Sequence, residues 1–349
     1  MVDNKTLIVV GAGASKEVDL PTGEELKNII ADYLNFKQDD FFNERSGGDK
    51  IIYEALNMCT HKQTGNTMSD FVATGKRMHN AMPQVLSIDN YIDQHKGNSR
   101  VELCGKLAIV RSILEAEKQS LLYFDINKKE KFKAEGIQST WFNSFWKLLT
   151  EHSSKEDLSE RFESVSLIVF NYDRCIEHFL YHSLLNCYFM DESEAADLVS
   201  RINIYHPYGS VGTLPWQNKK PRIGFGATPT ATQLLNLTTK IKTFTEGTDA
   251  ESSEIISIKN LYREAKTAVF LGFAFHKLNL ELIKPNLIGS TEYQEMNCYA
   301  TAKGMSESNC ELVKKDIKGL YRLSEFSRIN VRDMACADLF NEYWRSLAI

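Results

Sequence analysis

The stretch LIVVGAGASKEVDLPTGEEL, residues 7–26, sets four aliphatic residues directly before Gly11-Ala12-Gly13-Ala14-Ser15. A continuous apolar run of this kind suits a strand buried on both faces of a parallel sheet. A glycine turn at the end of such a strand is where a Rossmann-type sheet receives a diphosphate. Glycine permits both the tight turn and the close approach of backbone to ligand, and Gly11 and Gly13 meet those two needs. The third glycine of G-x-G-x-x-G is replaced by Lys16, so the dehydrogenase fingerprint fails. The helix after the turn is expected to begin only at Thr22, behind Pro21, where Thr22 and Glu25 form an S/T-x-x-E capping box. The intervening loop is then long enough to fold over a ligand.

Outward from this stretch, similar runs recur: SLIVF (166–170), INIYH (202–206), RIGFG (222–226), AVFLGF (268–273) and NCYATA (297–302). Between the first two strands no comparable run occurs. That interval reads as helices over 22–36, 69–82, 87–95 and 101–124. In the last of these, Val101, Cys104, Leu107, Ala108, Leu114 and Leu121 fall near one face at helical spacing, which marks a core helix. The expected fold class is α/β: a Rossmann-like parallel sheet with helices on both faces and a helical insertion after the first strand. The expected division is a sheet domain over 1–35 and 151–349, with the insertion over 36–150.

A net charge of -5 over 349 residues gives no global electrostatic case for nucleic acid. The lysine clusters at Lys128, Lys129, Lys131 and Lys133, and at Lys219, Lys220 and Arg222, read as solvated turns. The seven cysteines are widely spaced and form no C-x-x-C pair, so reduced thiols are expected, with neither a disulfide framework nor zinc. No signal peptide or membrane span is apparent, and a cytoplasmic protein is expected.

Two strand ends carry polar side chains. LIVFNYDRCIEH places Asn171 and Asp173 just beyond a buried strand, in the region where open α/β sheets bind ligands. Capping of the next helix accounts for one of them comfortably and for both less well. INIYHPYGSVG sets His206 at a strand end before Pro207, Gly209 and Ser210, and histidine is the side chain suited to moving a proton near neutral pH. Ser210 is not in a nucleophile elbow and has no expected nucleophilic part. At a third strand end, Gly272 removes a side chain where the strand stops. Phe273 and Phe275 there are either core aromatics or a surface for a flat ring, and His276 reads as a surface residue at a helix start.

Taken in order, G-A-G-A-S (11–15), F-N-Y-D (170–173), Y-H-P-Y-G-S (205–210) and L-G-F (271–273) resemble the silent-information-regulator (sirtuin) fold. Within it they resemble the bacterial sirtuin-like proteins of antiphage defence that are paired with a HerA-type ATPase. SIDNYID (87–93) is similar to a segment of that branch. The resemblance implies an NAD site with Gly11, Ala12, Gly13 and Ser15 along the diphosphate. It also implies that Asn171 holds the nicotinamide ribose and organises water, that Asp173 supports that geometry and that His206 is the general base. Gly272 and Phe273 would border the adenosine half, and Thr22, Gly209 and Ser210 would belong to the same site.

The chain departs from the deacetylase branch in three places. It has no C-x-x-C zinc pairs, Pro21 leads into Thr22-Gly23-Glu24, and Pro207 and Tyr208 separate His206 from Gly209. These departures argue against acyl-lysine chemistry and leave NAD chemistry. The expected activity is NAD+ glycohydrolysis to ADP-ribose and nicotinamide, with NAD as substrate, in antiviral defence. Control would come through assembly with a HerA-type ATPase and through homo-oligomerisation. The rivals are an NAD-dependent deacylase or ADP-ribosyltransferase, and a non-enzymatic subunit that senses NAD or ADP-ribose.

Overall fold

The computed structural model describes residues 5–36, 47–60, 65–125, 128–242, 253–285 and 293–348. The chain runs β1 (Thr6–Val10), α1 (Ala12–Ser15), α2 (Gly23–Tyr33), α3 (Lys50–Met58), α4 (Met68–Ala81), α5 (Ile88–Gln94), α6 (Ser99–Gln119), α7 (Trp141–Thr150) and α8 (Leu158–Glu163). It continues through β2 (Val165–Val169), α9 (Cys175–Cys187), α10 (Glu192–Val199), β3 (Asn203–Tyr205), α11 (Ala231–Thr238) and α12 (Ser253–Glu264). The last elements are β4 (Thr267–Leu271), α13 (Lys277–Ile283), β5 (Asn297–Thr301), α14 (Glu307–Tyr321), β6 (Ile329–Arg332) and α15 (Cys336–Leu347).

Among the described residues the sheet has six strands in the order β3-β2-β1-β4-β5-β6. Every pairing is parallel, with Val10 level with Val169 on one side and Leu271 on the other. This is the Rossmann-like α/β architecture, and the strand order reverses between β1 and β4.

Side chains alternate across the sheet, so the apolar runs are divided between two cores. Leu7, Val9, Ile168, Ala268 and Phe270 pack with α2 to α6 and α11 to α14. Ile8, Val10, Leu167, Val169, Val269 and Leu271 pack with α7 to α10 and α15. The interval between β1 and β2 is therefore shared between the faces: α2 to α6 cover one, while α7 crosses to the other and packs on α15.

Two sequence expectations give way, and one strand is new. Residues 222–226 make no strand among the described elements, only a bridge from Thr213 to Arg222. The hydrogen bonds of that segment go elsewhere: Ile223 N–H donates to the Thr213 carbonyl, the Gly224 carbonyl accepts from Ala227 N–H, and the Ile223 and Gly224 carbonyls and the Gly226 N–H meet buried side chains described below. β6 was not anticipated, because it is a four-residue edge strand, buried only at Val331 and without an apolar run. Finally, α6 is buried nearly all round, Ile109 and Val110 included, while Leu121 lies beyond its end and is exposed.

Candidate functional site

At the switch point between β1 and β4 the two following turns touch backbone to backbone. Gly11 N–H donates to the Leu271 carbonyl at 2.9 Å and Gly13 N–H to the Gly272 carbonyl at 3.1 Å. Gly272 has φ +54, and a Cβ there would stand 2.0 Å from Ala14 N and 2.3 Å from the Gly13 carbonyl carbon. A Cβ on Gly11 would stand 2.5 Å from the Gly272 oxygen. The glycines are thus required by the contact between the turns themselves. The N–H groups of Gly11, Gly13 and Ala14 are all engaged within the protein, the last with the Gly11 carbonyl at 3.0 Å. Ala12 and Gly13 keep part of their surface open.

The turn is also shorter and more tightly held than its sequence suggests. Helical structure begins at Ala12, ten residues before Thr22, and a 3-10 turn over Lys16–Val18 follows. Thr22 is the N-cap of α2 in the expected capping box with Glu25. Between them, Glu17 accepts the Trp141 N–H (2.7 Å) and the Ala337 N–H (3.0 Å), at the first turns of α7 and α15. A carboxylate suits those positions because helix N-termini present unpaired N–H groups and partial positive charge. The Trp141 indole N–H donates to the Ala14 carbonyl at 3.0 Å. The segment expected to be a long loop is clamped against two helices.

The polar groups beyond β2 pack onto this turn. Asn171 Nδ2 donates to the Gly11 carbonyl (3.1 Å) and to Ser15 Oγ (2.9 Å), and Ser15 Oγ donates to Asp173 Oδ2 (2.9 Å). Asp173 Oδ1 accepts the Cys175 N–H, the first of α9, at 3.1 Å from a position just before the N-cap Arg174. Neither residue is the N-cap of α9: Asp173 meets the first helical N–H and Ser15, whereas the Asn171 side chain faces the glycine turn. Asn171, Ser15 and Asp173 are all buried, and they hold one another through Asn171 Nδ2, Ser15 Oγ and both Asp173 oxygens, as buried polar groups require.

His206 follows β3 directly and joins the same network. Its Nδ1 lies 3.0 Å from the Asn171 carbonyl oxygen and its Nε2 lies 3.0 Å from Glu177 Oε1 on α9. A carbonyl only accepts, so Nδ1 carries a proton. Burial opposes charge on the imidazole, but Glu177 and the Asn171 carbonyl together hold its pKa above the ordinary value. Burial likewise opposes charge on Glu177, but His206, the main-chain N–H of Glu177 itself and, more distantly, Arg174 hold its carboxyl below the usual range. Both directions favour an imidazolium–carboxylate pair, in which His206 donates from both nitrogens.

The pair opens onto a cleft of about 540 Å³ whose wall includes Ser210, Gly209, Trp216, Lys219, Lys240 and Lys242. Gly209, at φ +75, lies against the Lys240 carbonyl, where a Cβ would stand 1.7 Å from that oxygen. Among the described residues that wall does not include the Gly11–Ser15 turn or Asn171. The structure therefore links the two residues through the Asn171 main-chain carbonyl, not through its side chain: the asparagine side chain lies on the turn and the histidine on the cleft, and the two do not share the cleft. Phe273 is buried among Phe170, Phe270 and Phe275, as a core aromatic. His276 is exposed at the start of α13.

Sequence reasoning missed three participants. Glu177 lies one turn into α9, a position where a glutamate ordinarily faces solvent. Tyr172 OH donates to Asp89 of α5, linking the SIDNYID segment to the strand end, and burial raises the pKa of both groups. The third is a buried ion pair beneath the site. Arg174 Nε and Nη2 meet Glu117 Oε1 and Oε2 at 3.0 and 2.5 Å, and Glu117 Oε2 also accepts the Gly226 N–H at 3.0 Å. Arg174 further donates to the carbonyls of Ile223 (2.7 Å) and Gly224 (3.1 Å). These are the bonds that hold 223–226 out of the sheet.

No protein-family profile matches the chain, and no curated protein matches it in sequence. Among the described residues no helix is long and apolar enough to cross a membrane, and no cluster of three or more potential metal ligands occurs.

Proposed function

We propose that the protein is an NAD+ glycohydrolase that releases nicotinamide and leaves ADP-ribose. The observation that carries this reading is the hydrogen-bonded chain from Gly11 and Ser15 through Asn171 to His206 and Glu177. It lies at the carboxyl ends of β1, β2 and β3, beside the point where the strand order reverses, which is where a sheet of this order receives a dinucleotide. Half-exposed Ala12 and Gly13 can border the diphosphate, and Gly209 and Ser210 line the cleft beside His206.

Nicotinamide leaves through an oxocarbenium-like ribosyl cation. The protein has to hold the ribose, exclude competing nucleophiles and set water against the anomeric carbon. Asn171 and His206 are the groups proposed to do this, with Ser15 and Asp173 fixing the asparagine. The resemblance in the four strand-end motifs supports a role in antiphage defence, with activity governed by homo-oligomerisation and by a HerA-type ATPase partner. A constantly active enzyme of this kind would drain the cell of NAD.

The test is nicotinamide release by the purified chain, alone and mixed with such an ATPase. Asn171→Ala and His206→Ala should each lower turnover by about 100-fold or more, in line with loss of a positioned polar or proton-transfer group. Normal turnover by both variants would overturn the proposal.

A further inference from the structure

We propose that Glu177, rather than His206, is the proton acceptor in the cleft, and that His206 is the cation that orients it. This rests on the glycohydrolase reading and names the base for that site. The argument is a count of lone pairs. In its ion-paired form His206 donates from Nδ1 to the Asn171 carbonyl and from Nε2 to Glu177 Oε1, so neither nitrogen has a lone pair to accept a proton. Glu177 Oε1 is engaged by the imidazole. Its other oxygen, Oε2, is buried and, among the described residues, has no hydrogen-bond partner. Buried carboxylate oxygens are normally satisfied, so an idle one beside a cleft is a place for a ligand hydroxyl or a water.

Other charges face the pair from the elements packed around it. Asp173 and Arg174 lie beyond β2, and Asp197 is on α10. Lys219, Lys240 and Lys242 line the cleft, with Glu254 of α12 paired to Lys242 at 2.6 Å. The lysines add positive potential suited to the phosphates of a nucleotide. Glu177 supplies negative charge at the floor, where a ribosyl cation would form.

The step balances simply. A water on Oε2 gives its proton to that oxygen as its own oxygen bonds the anomeric carbon. The bond from that carbon to the pyridinium nitrogen breaks, and its electron pair leaves on nicotinamide, which departs neutral. A carboxylate of lowered basicity suffices because the electrophile is cationic, and the same negative charge stabilises that cation.

The experiment follows nicotinamide release from NAD by Glu177→Gln and Glu177→Ala in whichever assembly is active, together with nitrogen NMR of His206. Glu177→Gln should lower kcat by about 100-fold or more with KM for NAD changed by less than about threefold, and should remove the acidic limb of the pH profile. Formate should restore at least about tenfold of the activity lost in Glu177→Ala, since a small carboxylate can occupy the vacated place. In the unsubstituted protein both His206 nitrogens should stay protonated at pH values above the ordinary imidazole value of 6.5.

Wild-type kcat and pH profile in Glu177→Gln would overturn the role of Glu177 and leave the glycohydrolase reading intact. Absence of nicotinamide release in every assembly would sink that reading and this role with it. A His206 already neutral below the ordinary imidazole value of 6.5 in the unsubstituted protein would overturn the proposal even if neither variant folds.

Discussion

Replacing Glu117 by Gln tests what the buried pair beneath the site contributes. Arg174 is 1% exposed and Glu117 0%, so the substitution leaves a guanidinium inside the protein without the carboxylate that faces it. Removing one partner of a buried pair destabilises by about 3–5 kcal/mol. The pair itself is not a large net gain: burial pushes the Glu117 carboxyl above its usual range, and Arg174 and the Gly226 N–H counter this only in part. A double substitution, Glu117→Met with Arg174→Met, removes both charges at similar side-chain volume. What remains is the loss of partners for the Ile223 carbonyl and for the main-chain N–H groups of Arg174 and Gly226, while the Gly224 carbonyl keeps the Ala227 N–H. Each such group costs about 1–3 kcal/mol if it stays dry. Gly224 and its neighbour Phe225 are only half-buried, so water can reach part of this set, and a total near 2 kcal/mol is expected. Urea denaturation at neutral pH measures both variants. The expected order is single worse than double. A single variant within about 1 kcal/mol of the parent, or a double variant less stable than the single, would refute the account of the pair as geometric glue rather than a stabilising charge.

Gly272→Ala forces a Cβ into the backbone of the β1 turn at a left-handed φ; about 1–2 kcal/mol comes from the conformation alone, and with the overlap a loss of about 3 kcal/mol or more is expected, so a melting temperature within about a degree of the parent would count against the interlock. Glu17→Ala removes two charge-assisted bonds at the N-termini of α7 and α15 and should cost about 2 kcal/mol or more, read by urea denaturation, with Glu17→Gln recovering part of it. The His206–Glu177 pair sets a pH window. The imidazole is held above its ordinary 6.5, so its contribution is complete below that value and lost as pH rises through the folded-state value. The carboxyl is held below its ordinary 4.5, so its contribution is complete above that value and lost as pH falls through the folded-state value. Urea midpoints from about pH 5 to about pH 8 should therefore decline in the parent more than in Glu177→Gln, and parallel profiles would contradict the pairing.

The strands were legible where burial on both faces writes an unbroken apolar run, as in β1, β2, β4 and β5. β6 was not, because an edge strand with one buried residue leaves no such run. RIGFG misled because it reads as a short β-rich run, while its partners are Arg174 and Glu117, far away in sequence. The same distance hid the polar half of the site. Asn171, Asp173 and His206 stand out because a polar residue just beyond a buried strand needs a reason to be there. Glu117 and Glu177 do not, since a glutamate in a helix ordinarily faces water; only the tertiary structure shows that one is 0% and the other 8% exposed. Four helices, α1, α3, α7 and α8, lay outside the four helical patterns read between the first strands.

Glu17 ties together chain segments 124 and 320 residues away from it in sequence. Its two bonds leave little slack: a shift of α15 by an ångström must either break the contact at Ala337 or pull on the backbone that carries Ser15. A force applied to the outside of the last helix, by a neighbouring subunit for instance, thus has a short mechanical route to the asparagine, through one carboxylate and two residues of main chain.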